Sequence, residues 1–157
     1  MPTSAILIEL WLEARTRFTN QLKDITEEDL TKRLPPSPNS LGFLIRHIGE
    51  VELLFAKNVF GAPDVKVVAK TVIAKKDTGE WVRLSELKEH VDFSCQKLKS
   101  ILEQQSEADW QSTVTTQEFG TKTKAEALGR IVSHTAYHAG QMALIHKYGA
   151  RQDRQAI

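Results

Sequence analysis

Apolar residues recur at threes and fours along most of the chain. From Ser4, which can cap a helix, Leu7, Trp11, Ala14, Phe18, Leu22 and Ile25 follow that period, and the spacing predicts a long first helix. Thr26-Glu27-Glu28-Asp29 reads as the cap and acidic first turn of a short second piece. Pro35-Pro36-Ser37-Pro38 ends it, because proline lacks a backbone donor and restricts the residue before it. Asn39 or Ser40 then opens a helix to about Phe60, with Leu44, His47, Val51, Leu54 and Asn58 on one line and Leu41, Ile45, Ile48, Phe55 and Val59 beside it. Gly61 and Pro63 follow its end. His47 thus stands on an inward line.

Over residues 64–81 the pattern changes. Val65, Val67, Val68, Val72 and Ile73 are β-branched, lysines interrupt them, and Asp77-Thr78-Gly79 is a turn signal, which together predict an extended loop or a short hairpin. Ser85 begins a further helix, in which Leu84, Leu87, Val91, Leu98, Ile101 and Leu102 keep helical spacing to about Gln105. Ser106-Glu107-Ala108-Asp109 resembles a brief helical turn before Trp110. The Thr-rich stretch from Thr113 to Thr123 reads as loop or short strand. Thr123 caps a last helix that runs to about Tyr148 and stops at Gly149, a residue suited to the left-handed position past a helix end. Four long helices without an internal repeat predict an all-α four-helix bundle with long connecting loops. The link from Gly61 to Ser85 leaves room for a crossover.

Composition narrows the class. The 157 residues are 41% hydrophobic and 26% charged, with 21 Lys+Arg against 20 Asp+Glu. One globular domain spanning residues 1–157 is expected, and a chain of this size buries roughly 70% of its unfolded surface, enough to fold without a disulfide or a structural metal. Any bound metal is therefore expected to serve chemistry. Interspersed charges disfavour a nucleic-acid face and a polybasic membrane anchor. The segment Leu41 to Phe60 carries Arg46, His47, Glu50, Glu52 and Lys57, so no membrane span is expected. Cys95 is the single cysteine, and Met1-Pro2-Thr3-Ser4 lacks the layout of a signal peptide, so a cytoplasmic location is expected.

The five histidines carry the candidate chemistry. Ala127, Ile131, His134, His138, Gln141 and Ile145 occupy one seam of the last helix, so two imidazoles and an amide stand among Ile and Ala. Residues four apart lie one above the other, which lets His134 and His138 converge on one point, and His47 occupies a matching line on another helix. An unsatisfied buried polar group costs about 1–3 kcal/mol, and a divalent metal would satisfy three imidazoles at once. Three neutral imidazoles leave a coordination position open, the arrangement of a reactive site rather than a closed structural one. A plain structural bundle, with inward histidines bonded to each other and to water, is the competing reading.

The run Leu44-Ile45-Arg46-His47-Ile48-Gly49-Glu50, with His134-Thr135-Ala136-Tyr137-His138-Ala139-Gly140-Gln141 on the last helix, resembles the DinB-like superfamily of metal-binding four-helix bundles, also called YfiT-like metal-dependent hydrolases. The resemblance covers the whole helix order. It implies an antiparallel bundle, often a homodimer, with a metal held by His47, His134 and His138, and relatives that include transferases and isomerases using low-molecular-weight thiols. Gln141 matches the glutamine of the family's His-x-Gly-Gln ending, whereas Ala139 departs from the arginine often found there.

The residues restrict the mechanism further. His134-Thr135-Ala136-Tyr137-His138 lacks the glutamate of the zincin pattern, which disfavours peptidase chemistry. A metal that binds a thiol lowers its pKa without needing such a carboxylate, so thiol transfer suits these residues better than hydrolysis. The positions three before each histidine are Leu44, Leu87, Ile131, Thr135 and Ala143, so the Glu-x-x-His of di-iron carboxylate bundles is absent. Three imidazoles select weakly among late divalent metals: zinc and nickel are favoured, with manganese or iron as further options. Glu50, one turn beyond His47, is expected to be an exposed carboxylate, with an outer-shell or base role as the alternative. His90 and His146 are expected at the surface, and Cys95 as a small buried hydrophobe. Trp11, Trp81 and Trp110 suit core or pocket wall, and Lys66, Lys70, Lys75 and Lys76 a solvated loop or an anion-attracting rim. The expected function is a metal-dependent enzyme that activates a thiol (S-transferase or isomerase type) or water (hydrolase type) for a small-molecule substrate. The alternative is a non-catalytic metal-binding or dimerisation bundle acting as a sensor or stress protein.

Overall fold

Six helices and two small antiparallel sheets make up the regular structure of the computed structural model, in which residues 1–152 are described. Helix α1 spans Thr3–Thr19 and starts one residue ahead of Ser4, with Pro2 at the cap position and no side-chain cap. The Ser4 hydroxyl instead donates to the Gln105 carbonyl at 2.8 Å and accepts from Trp110 Nε1 at 2.7 Å, pinning the start of α1 to the chain that follows α4. The expected run to Ile25 breaks at Thr19 and Asn20, both weak helix formers, and a 3₁₀ turn at Gln21–Lys23 carries Leu22 inward. A second 3₁₀ turn, Glu27–Thr31, starts as predicted at Thr26, whose backbone N–H and hydroxyl both donate to Asp29.

Ser40 caps α2 (Leu41–Asn58) by accepting from the Phe43 N–H at 3.1 Å. Residues 64–81 form no hairpin; they hold one short helix, α3 (Lys70–Ala74), ended by Lys75 in the left-handed conformation. Helix α4 (Leu84–Leu102) starts one residue before Ser85, and the Glu27 carboxylate accepts from its first N–H. Ser106 caps α5 (Glu107–Gln111). The Thr-rich stretch takes the strand option, with β2 (Thr113–Thr116) pairing β3 (Gly120–Thr123). Thr123 and Glu126 form a reciprocal capping box at the start of α6 (Lys124–Tyr148). Gly149 is extended (φ −71°) rather than left-handed, because the chain continues into β4 (Ala150–Arg151) against β1 (Lys32–Arg33).

Two apolar clusters define how the long helices run. One joins Ile8 and Trp11 of α1 to Val51, Leu53 and Phe55 of α2, Leu98 and Leu102 of α4, and Ala127, Leu128 and Ile131 of α6. The other joins Phe18 to Leu44, Ile45 and Ile48, to Leu87 and Val91, and to Ala139, Met142 and Ile145. Helices α1 and α6 therefore run one way, and α2 and α4 the other. The antiparallel bundle implied by the resemblance is in detail an up-down-down-up bundle: residues 59–83 cross its whole length so that α2 and α4 pack side by side in parallel. Helix α6 packs on α1 and α2, and α4 touches α1 only slightly. Between the two clusters lies a buried polar knot. Arg15 Nε is 2.7 Å from Glu52 Oε1, Arg15 Nη2 donates to the Val91 carbonyl, and the Ser94 hydroxyl donates to Glu52.

Trp11 and Trp110 are fully buried and Trp81 nearly so, which makes all three core. Trp81 closes the crossover over the first turn of α2, and there Gly42 is required: a Cβ on it would come within 1.9 Å of the Trp81 carbonyl oxygen. Gly42→Ala is expected to cost about 3 kcal/mol, since neither backbone can yield without losing core contacts. Gly129→Ala, where a Cβ meets nothing within 4 Å, should gain up to about 1 kcal/mol from helix propensity. Urea midpoints of the two variants, read against an unchanged slope, check both signs.

Candidate metal centre

The buried face of α6 lies to one side of the seam that the spacing predicts. Ala127, Ile131 and Ile145 of that seam are buried, but the face is centred on Leu128, Thr135, Ala139 and Met142, so His134, His138 and Gln141 are left half-buried along the edge facing α2. The same holds for α2. Its buried face is centred on Leu41, Leu44, Ile45 and Ile48; His47 and Leu54 are half-buried on the border, and Asn58 is exposed rather than inward. Two border lines therefore meet, and the three histidines share a cleft on the α2–α6 flank, not the bundle axis or one end. One ring nitrogen from each of His47, His134 and His138 lies within 4.8 Å of the other two, and this trio could hold a metal ion. His134 Nε2 is 3.1 Å from His47 Nε2, and the ring centroids of His134 and His138 are 4.4 Å apart.

Hydrogen bonds around the trio are directional. His138 Nδ1 is 2.7 Å from Gln141 Oε1, an oxygen that can only accept, so the imidazole carries its proton on Nδ1 and presents a bare Nε2. His47 Nδ1 is 2.9 Å from the Thr71 hydroxyl oxygen on α3. Both the Thr71 N–H (2.9 Å) and its hydroxyl donate to Glu50 Oε2, while Arg46 Nε donates to Glu50 Oε1 at 2.9 Å. Glu50 is fully buried, contrary to the exposed carboxylate expected from sequence, because the crossover folds over it and Arg46 and Thr71 supply its partners. With both oxygens engaged, it is not a free base.

The imidazoles are held neutral. Burial pushes His134 down to about 3, with His138, His47 and Arg130 adding to the effect. Burial likewise pushes His47 down to about 4, His138 adding and Glu50 opposing, and lowers His138 against the opposing effect of the bond it donates to Gln141. Neutral rings bind a metal without losing a net proton, but His134, whose Nε2 shares a proton with the bare Nε2 of His47, must move that proton to Nδ1 in order to ligate. Two nitrogens on one tetrahedral ion sit about 3.3 Å apart, and the His47–His134 pair at 3.1 Å is close to that spacing, with His138 within 4.8 Å of both. His134 Nδ1 is buried without a partner, so two of the three rings are oriented by neighbours and the third is not.

The other candidates separate from this cleft. His90 is half-buried rather than exposed: its ring packs on Gly49, Nε2 is buried without a partner, and burial pushes it down to about 4, with Arg46 adding and Glu50 opposing. His146 lies in the last turn of α6 with Nε2 3.4 Å from Asp29. Cys95 is half-buried against the first cluster, and burial pushes its thiol up, which leaves it little thiolate. Lys70 pairs with Glu80, and Lys66, Lys75 and Lys76 are exposed. A cavity of about 210 Å³ adjoins the cleft through Gln141, bounded by Leu34, Asn39, Leu44, Leu144 and Ile145. A larger one, about 630 Å³, lies between the start of α1 and the end of α4, and none of the three histidines lines either cavity.

The sequence matches the DinB superfamily over residues 10–142, a span that takes in α2 and α4, most of α1 and α6, and the three histidines. The chain belongs to the DinB superfamily. Two solved structures share the fold of this DinB protein. The mycothiol-dependent maleylpyruvate isomerase superposes with a TM-score of 0.70 at 16% identity, covering 90% of this chain and 61% of that one. A point mutant of that enzyme gives 0.66 at 17% identity with the same coverage. The DinB chain thus spans 61% of the length of either structure, and at these identities the likeness is one of fold. No curated protein matches the sequence. Among the described residues no helix of the DinB chain is long and apolar enough to cross a membrane. Sequence reasoning missed Thr71, which sits in a stretch without periodicity, 24 positions from the histidine it touches.

Proposed function

We propose that this protein is a metal-dependent enzyme in which His47, His134 and His138 hold a divalent transition metal, zinc or nickel, and in which a low-molecular-weight thiol is activated for transfer or isomerisation of a small substrate. The observation that carries this reading is the convergence of three neutral imidazoles whose outer nitrogens, on His47 and His138, already face an acceptor. A metal held there lowers the pKa of a bound thiol and stabilises it as thiolate near pH 7. The chain's own groups do the rest. Thr71 and Gln141 orient two of the ligands, and Leu34, Leu44, Leu144 and Ile145 give the adjoining cavity an apolar wall that suits the carbon skeleton of a small substrate. The thiol-dependent solved relatives agree with this chemistry, and their activity comes to this chain only as part of the proposal.

Hydrolysis is less well supplied. The carboxylate nearest the trio, Glu50, has both oxygens bonded to Arg46 and Thr71 and cannot take a proton from water without breaking them. The test is to load tag-free protein with zinc or nickel and offer a panel of thiols, mycothiol included, with maleylpyruvate and with electrophilic acceptors. Turnover needing both metal and thiol is expected. Ester cleavage without thiol would favour hydrolysis instead, and metal uptake with no turnover across the panel would favour the non-catalytic bundle.

A further inference from the structure

The crossover reaches into the histidine cleft at one point, Thr71. We infer that Thr71, backed by Glu50, is a positioning residue for the metal centre: it holds His47 in the Nδ1–H form with Nε2 bare, and it couples metal loading to the docking of the crossover helix α3. This rests on the proposed metal site, but its first part concerns the metal-free protein.

A threonine hydroxyl has one proton and two lone pairs. That proton is given to Glu50 Oε2, which also accepts the Thr71 N–H at 2.9 Å. The hydroxyl oxygen can then only accept from His47 Nδ1, 2.9 Å away, and the imidazole proton must lie on Nδ1. Reversing the direction would require Thr71 to turn its proton toward His47, stripping a hydrogen bond from a carboxylate with no exposure to water. That loss disfavours the opposite tautomer by roughly tenfold or more. Arg46, on the other oxygen, keeps Glu50 an acceptor. The bare Nε2 of His47 then accepts from His134 Nε2 at 3.1 Å in the metal-free protein, on the side where the three ligand nitrogens converge. Outer partners that fix a ligating histidine in this way change metal affinity by roughly 10- to 100-fold.

The same bonds hold down α3. The Thr71 backbone N–H and hydroxyl are the contacts by which this short helix grips the buried end of Glu50, and Thr71 itself is buried while its neighbours Lys70, Val72 and Ile73 are exposed. By linkage, if docking of α3 favours metal binding, metal binding favours docking of α3 by the same factor.

Imidazole nitrogen NMR on metal-free protein at pH 7 reads the first part directly. Wild type is expected to show His47 protonated on Nδ1, Thr71→Val to shift the proton to Nε2 or to a mixture, and Thr71→Ser to restore it. A wild-type signal from Nε2–H, or a Thr71→Val spectrum unchanged at His47, overturns the proposal. Competition titration with zinc is expected to show 10- to 100-fold weaker binding in Thr71→Val and recovery in Thr71→Ser, with amide exchange over residues 70–75 slowed by zinc in wild type but not in Thr71→Val. Equal zinc affinity in wild type and Thr71→Val overturns the coupling. Wild type that shows the Nδ1–H form yet binds no zinc would count against the proposed function, whereas the role of Thr71 in setting the tautomer would stand.

Discussion

His134→Ala and His138→Ala are each expected to weaken zinc binding by at least about 100-fold, and His47→Ala to do the same, whereas His146→Ala should leave it unchanged. The size follows from how a metal site divides its energy. Apparent binding energies of about 10–16 kcal/mol spread over four ligands give a few kcal/mol for each, and about 2.7 kcal/mol is already 100-fold. His146 is the appropriate control because it lies on the same helix, near its end, and bonds toward Asp29 instead of the cleft. Elemental analysis of protein dialysed against limiting zinc gives occupancy. A thermal scan gives a second reading: zinc at a hundredfold excess over Kd stabilises wild type by about 2.7 kcal/mol, a rise of roughly 5–10 °C for a domain of this size. The three variants should show no such rise. Equal loss of zinc from His146→Ala would move the site away from the α2–α6 cleft, and full occupancy in all four variants would sink the three-histidine assignment.

Acid should destabilise the metal-free protein well before its carboxylates titrate. His47 and His90 are pushed down to about 4 and His134 to about 3, burial being the main cause in each, while an unfolded chain takes up these protons near the ordinary value of about 6.5. Between those limits the unfolded state binds more protons than the native one, so stability rises with pH. The native state therefore keeps its full stability above pH 6.5 and loses it progressively as the pH falls to about 4, and further to 3 for His134. Each histidine contributes on the order of 1–2 kcal/mol after allowance for its partial exposure, and the three act together. Urea unfolding at pH 7, 5.5 and 4.5 in the presence of a chelator measures the slope, which His90→Phe should reduce without touching the trio. A flat profile over that range would show that these rings take up protons in the native state. Zinc should steepen the dependence, since protons and metal compete for the same nitrogens.

Much of this molecule is legible in its sequence, and the failures have local reasons. The long helices follow from apolar spacing, and Thr123, Ser106 and Ser40 cap where their sequence context says they should. Ser4 does not, because its hydroxyl has a better use between Gln105 and Trp110. The histidine pair on α6 could be read from spacing alone, but spacing placed it too deep. A neighbouring line, Leu128, Thr135, Ala139 and Met142, takes the centre of the buried face, which leaves His134, His138 and Gln141 at its edge even though Ile145 on their own seam is buried. Glu50 and His90 were misjudged for a different reason. What covers Glu50, α3, arrives through a crossover whose path has no signature in periodicity, and His90 turns its ring onto Gly49, where α2 offers no side chain to keep it out. Local pattern records which face a helix buries against its bundle neighbours and is silent about a loop laid over the outside.

The knot of Arg15, Glu52 and Ser94 bears on a property that apolar packing alone controls poorly. Helices α1 and α2 sit diagonally across the bundle, and the aliphatic residues between them could exchange partners if one helix slid by a turn, about 5.4 Å, at small energetic difference. A bidentate ion pair cannot: the same slide would part Arg15 from Glu52 and strand both charges away from water, at a cost of about 3–5 kcal/mol. The pair thus behaves as a detent on the sliding coordinate of the bundle, stopping α2 at one height. Since His47 rides on α2 little more than one turn from Glu52, the same stop fixes the height of His47 against α1, the helix on which α6 and its two histidines also pack.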